Sequence, residues 1–229
     1  MQDTYMGRPV EELGVEARST FMTRVYKHLA AALVGFTLLE MYYFESGIAA
    51  RITAFVANTS WLLILGAFMV VGWLASRTAH TATSVRVQYL ALAGFVVAES
   101  LIFAPLLYLA DQMAAGVIQS AAAVTLLGAG GLTVVVLMTR RDFSFLRGIL
   151  MWGGILALIA IVAAVLFGFE LGTWFSVAMI GFAGAAVLYD TSNVLHHYPE
   201  DRYVAASLEL FASIALMFWY VLRLFMSRD

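Results

Sequence analysis

Runs of about 20 mostly apolar residues, separated by short polar links, are the feature that most limits what this chain can become. That is the length a helix needs to cross the hydrocarbon core of a bilayer. Such runs occupy 22–44, 61–75, 87–109, 114–138, 148–169, 172–195 and 203–225. Of the 229 residues, 62% are hydrophobic and only 12% charged. Soluble domains sit nearer half apolar and a quarter charged, so an aqueous fold could not hide this much apolar surface. The alternation of a membrane-crossing strand is absent, which excludes a barrel. The expected fold is an all-α membrane protein with seven transmembrane helices. Residues 1–20 form a polar cytoplasmic arm, and 21–229 form the transmembrane domain.

Several function classes drop out. The net charge is −2 and no basic tract exists to hold phosphates, so nucleic acid is not a partner. There is no Cys, which removes disulfides, thiolate metal sites and Cys nucleophiles. No Ser/His/Asp arrangement or HExxH motif appears, so the chain does not read as an enzyme. The glycines near 128–131 lack a following Lys-Ser/Thr. They suit close helix packing in lipid better than a phosphate loop.

Orientation follows from Lys and Arg. All but Arg51, Arg223 and Arg228 fall on the side of the N-terminus, which is therefore expected in the cytoplasm. Arg223 and Arg228 pull mildly against the outward C-terminus that seven crossings imply. Glu45 to Asn58 reads as a link, as does the polar stretch from Arg77 to Arg86. Asp111 and Gln112 mark a further turn. Pro105 interrupts the third run, where a proline removes a backbone bond and can kink a helix.

Ionisable residues at membrane depth are costly and usually face the protein interior, where they mark paths, relays or sensors. Asp190 and Glu209 are the leading pair. Asp190 lies roughly five residues from the end of its run and Glu209 roughly six from the start of the next. Both are thus ~8–9 Å deep at 1.5 Å per residue. Two carboxyls in contact can share one proton, and full ionisation repels them or admits a cation such as Ca²⁺. The alternative is structural. Asp190 bonds locally to Tyr189, Thr191 or Ser192, and Glu209 meets a base such as Arg140 or Arg77. Glu99 lies near the midplane, as a cavity acid or as a protonated group bonded to a neighbouring helix. Glu40 reads as an interfacial carboxylate facing water. His28, His80, His196 and His197 fall at cytoplasmic ends, either tuning the acid pair or standing as solvated tips.

Three stretches carry a family resemblance: RRDFSFLRGIL at 140–150, VLYDTSNVLHH at 187–197 and AASLELFASIALMFWYVLRLF at 205–225, with a weaker one, GFVVAESLIFAPLL, at 94–107. In these the chain resembles the bacterial branch of the Bax inhibitor-1 (TMBIM) family. The resemblance implies six helices around a central C-terminal helix, and a pH-dependent calcium leak gated by an aspartate pair on helices six and seven. Asp190 matches the first aspartate. Ser213 stands where the second is usual, so the aspartate pair is incomplete here. Glu209, one turn earlier on the same face, is the candidate substitute. An arginine at the cytoplasmic end of helix two often partners the pair, and Arg77 is nearest to it. Some relatives with serine at this place resemble a branch that restrains an ATP-dependent membrane protease. Two readings result. One is a pH-sensitive cation leak, calcium or proton, through a bacterial inner membrane. The other is a regulator that binds a membrane protease or another membrane partner. No cofactor is implied beyond Ca²⁺ as a bound or transported ion.

Overall fold

A computed structural model describes residues 9–12, 14–113 and 115–227. Arg8 and Arg228, much of the expected N-terminal arm and Ala114 lie outside the described residues. A short 3-10 turn at Val10–Glu12 precedes eight α-helices among those residues: α1 Val15–Glu45, α2 Ile48–Ala57, α3 Trp61–Thr81, α4 Val85–Met113, α5 Val117–Thr139, α6 Leu146–Phe167, α7 Gly172–His196 and α8 Tyr203–Met226. Pairing between extended segments is limited, among them, to an isolated antiparallel bridge between Pro9 and Pro199.

Six of these helices, α3 to α8, are long and apolar enough to cross a membrane. The first expected crossing lies in α1, a 31-residue helix that carries Arg18, Arg24 and Lys27 in its first half. The most buried helix is α8, with Leu210, Phe211 and Leu222 almost fully enclosed. It packs against α1, α3, α4, α5 and α7. By contrast α6 buries none of its residues, and Trp152, Leu156 and Phe167 stand out from it. Apolar side chains on an outer face suit a lipid solvent, where burial offers no hydrophobic gain over exposure.

Close approach is set by small residues. A Cβ placed on Gly153 of α6 would stand 2.9 Å from the ring of Phe182 in α7. One on Gly184 of α7 would lie 3.3 Å from Leu132 of α5.

Several sequence expectations need correction. The stretch from Glu45 to Asn58 is not a bare link, because it contains α2. At ten residues that helix is too short to register as a span. Arg77 to Thr81 continue α3, and only Ala82, Thr83 and Ser84 separate α3 from α4. Polar residues at the end of a span resemble a turn in sequence, but their backbone bonds are still made in the helix. Asp111 and Gln112 likewise belong to the last turn of α4, and α4 runs unbroken through Pro105.

Candidate functional site

A set of polar groups gathers around the link between α7 and α8. The α7–α8 link is its centre, and the helix ends around it are tied to it by hydrogen bonds. Arg202 Nη1 donates to the Ala82 carbonyl at 2.5 Å, and Gln88 Nε2 donates to the same oxygen at 3.0 Å. The first bond joins the α3–α4 link to the start of α8, and the second ties that link to α4. The N–H of Val10 donates to the Tyr198 carbonyl at 2.9 Å, and Val10 itself is fully buried. Arg18 Nη2 donates to the Glu11 carbonyl at 2.6 Å, holding the N-terminal turn against α1.

On the α5–α6 side, Asp142 is the organiser. The Ser144 N–H donates to its Oδ1 at 2.8 Å. Ser192 Oγ of α7 accepts from the Phe143 N–H at 2.8 Å and donates to Asp142 at 3.4 Å. His197 Nε2 stands 3.3 Å from Asp142 Oδ2. Ser144, through its amide and then its side chain, followed by His197, holds the Asp142 carboxyl below its ordinary value.

Asp190 lies deeper, on α7, and is buried. Ser213 Oγ of α8 donates to its Oδ2 at 2.5 Å. Glu209 is turned elsewhere. Its Oε2 accepts from the Tyr198 hydroxyl at 2.5 Å, and its Oε1 lies 3.1 Å from His80 Nε2. His80 Nε2 is also 3.1 Å from the Tyr198 hydroxyl, while His80 Nδ1 is 2.8 Å from the Ser76 carbonyl. A carbonyl only accepts, so Nδ1 carries a hydrogen. Nε2 and Oε1 therefore face each other across a gap that needs one further proton. Tyr198 is buried between them. That burial, followed by the nearby Glu209 carboxylate, holds its hydroxyl well above the ordinary value of 10.0.

Of the residues singled out in the sequence, Asp190 and Ser213 are in direct contact. Glu209 has its own partners one turn nearer the end of the bundle. Its basic neighbour is His80, in place of the suggested Arg140 or Arg77. The Arg77 guanidinium lies 5.1 Å over the Trp73 ring of its own helix. Glu99 is buried on α4, and no hydrogen bond to it is formed among the described residues. Nor do three or more His, Asp or Glu side chains there converge as a metal site. His28 meets the Tyr89 hydroxyl at 3.0 Å, and His196 stands 3.6 Å from Glu11.

Two features escaped the sequence reading. Tyr198 looked like one more polar residue of a link. Glu40 is not an interfacial acid in water: it is buried, and both its oxygens lack a partner. A signal for Glu40 was available. Phe21, Val25, Leu29, Ala32, Glu40 and Tyr43 are the buried positions of α1, and this helical stripe includes the acid.

Comparison with known proteins fits this architecture. Residues 18–229 match the family described as Inhibitor of apoptosis-promoting Bax1. The chain belongs to the Bax inhibitor-1 family. Among curated members it is 35% identical over 122 residues to the uncharacterized protein PA2604 of Pseudomonas aeruginosa, covering 52% of this chain and 54% of that one. It is 37% identical over 97 residues to the modulator of FtsH protease YccA of Escherichia coli, covering 41% of this chain and 44% of the relative. The matched region thus spans about half the length of these two relatives. The Golgi anti-apoptotic protein of vaccinia virus is 26% identical over 231 residues, covering 97% of this chain and 91% of the viral one. Six candidate spans and a relative named as an inner membrane protein make this Bax inhibitor-1 family member an integral membrane protein.

Proposed function

We propose that this protein is a seven-span protein of a bacterial inner membrane that acts as a pH-sensitive cation leak, for calcium or protons. In this reading α1 is the seventh crossing, and the polar end of the bundle, with the N-terminal turn, faces the cytoplasm. The observation that carries the reading is the two-layer polar seam between α7 and α8. The inner layer is Asp190 with Ser213, and the outer one is Glu209 with Tyr198 and His80. The Ser213 hydroxyl meets Asp190 in place of a second carboxyl, so the inner layer joins α7 to α8 through a hydrogen bond. In this reading the proton-dependent step involves both layers, because the Asp190 and Glu209 carboxyls lie close enough for their charges to interact. In the outer layer His80 Nε2 stands 3.1 Å from Glu209 Oε1, beside the Tyr198 hydroxyl that donates to Glu209. Arg202, fixed to Ala82, holds the start of α8 in register with the end of α3. Glu99 lies on α4, which packs against α8, and serves as an acid further along the route.

A second reading is favoured by the likeness to YccA, which is named a modulator of a protease. Here the chain binds an ATP-dependent membrane protease or another membrane protein, and the seam sets the shape of its polar end.

Ion flux into liposomes holding the purified protein, from about pH 5 to 8, separates the two. Flux that changes with pH, and is altered by Asp190→Asn and by Glu209→Gln, is expected for the leak. Folded protein that passes neither calcium nor protons at any pH removes the leak. Co-purification with the host's membrane protease then tests the regulator.

A further inference from the structure

A cleft of about 720 Å³ opens between α1 and α5, floored by α8 and bounded by α4. Its rim on α1, with Val34, Leu38 and Met41, is apolar and exposed, as suits entry from lipid. Phe36, Phe44, Phe211 and Phe218 line it. Two buried polar side chains from opposite walls also line it without a hydrogen-bond partner: Glu40 of α1, 7% exposed, and Thr125 of α5, 2% exposed. Leaving such groups unmet costs free energy, and a carboxylate without a counter-charge costs most. The charge around the cleft has one sign. Glu40, Glu45 and Asp111 line it, and no Lys, Arg or His does.

We infer that the cleft is a binding site for a membrane-soluble primary amine, a net cationic amphiphile with a single apolar chain. Its ammonium group donates to the Glu40 oxygens and to Thr125 Oγ1. Each acceptor is thereby satisfied, and the charge of Glu40 is matched in the same contact. The aromatic rings supply apolar contact and favourable faces for a cation. A bare inorganic cation fits less well, because hard ions need many oxygen ligands and the cleft is mostly apolar. A zwitterionic aminophospholipid fits less well too, since its phosphate would enter an acidic site with no base to meet it.

The test uses the full chain in nanodiscs of phosphatidylcholine and follows its melting temperature against added dodecylamine. A saturable rise is expected, with no matching rise for dodecanol and a smaller one for dodecyltrimethylammonium, which cannot donate. Glu40→Gln should bind at least about tenfold more weakly, as loss of a charged hydrogen-bond acceptor implies. Thr125→Val should also weaken binding, and it carries the test should Glu40→Gln fail to fold. Equal responses to dodecanol and dodecylamine overturn the proposal. So does a Glu40→Gln or Thr125→Val protein that responds like wild type. A saturable response to phosphatidylethanolamine in place of dodecylamine also overturns it.

Discussion

Ser213 on α8 donates to Asp190 on α7 at 2.5 Å, so the buried acid of the α7–α8 seam is met by a hydroxyl and not by a second carboxyl. The bond joins the most buried helix of the bundle to its neighbour. Glu209, one turn earlier on α8, is thereby released to serve Tyr198 and His80.

Removing that hydroxyl should be costly. Ser213→Ala leaves Asp190 Oδ2 buried without its donor, a change worth about 1–3 kcal/mol. A lower melting temperature is expected in detergent, and Ser213→Thr, which keeps a hydroxyl, should recover most of it. A Ser213→Ala protein that melts with wild type would mean the contact contributes nothing to the fold.

Tyr198 gives a prediction at alkaline pH. Its hydroxyl is held above 10.0 in the folded protein, so between that value and the raised one the folded state keeps a proton that the unfolded chain has lost. Stability should therefore fall as pH rises above about 10. Tyr198→Phe should be less stable at neutral pH, because Glu209 loses a donor, but its stability should fall less steeply in that alkaline window. Unfolding by denaturant at pH 8 and at pH 10.5 measures both effects. Parallel slopes for the two proteins would count against the role given to this hydroxyl.

At the α5–α6 link, Asp142 ties Ser144, Ser192 and His197 together. Asp142→Ala should loosen the link from α7 and raise the rate of trypsin cleavage after Arg140 and Arg141 several-fold. The global melting temperature should barely move, since Asp142 is half exposed. The depressed carboxyl gives this tie an acid limit. It holds above the ordinary value of 3.8 and is lost as pH falls below it, because the folded state resists the proton that the unfolded chain accepts. Cleavage at those arginines that is unchanged in Asp142→Ala would assign the link's order to other contacts.

Helix existence was legible because lipid imposes a simple length rule, and α3 to α8 each obey it. Helix ends were not. Arg77 to Thr81 are polar, and polarity alone does not separate a last helical turn from a link. That mattered for the site, since His80, the partner of Glu209, comes from this concealed turn. The acids at 190 and 209 stood out as charges among apolar neighbours. Ser213 was marked only through the resemblance, and Tyr198 could not be read at all, because it is an ordinary residue type whose role depends on which helices touch. Glu40 was misread for a different reason. Its position near the end of an apolar run suggested water, while the helical stripe of α1 turns it inward.

The backbone bond from Val10 to Tyr198 joins the first described turn to the last inter-helix link. A ribosome delivers Val10 long before Tyr198, so this contact forms only after nearly every helix has entered the bilayer. Until then the Val10 N–H lacks this acceptor. Contacts between distant parts of a chain slow folding. Here the delay has a consequence for quality control. A nascent chain halted before Tyr198 lacks this bond, and that lack distinguishes an unfinished bundle from a complete one.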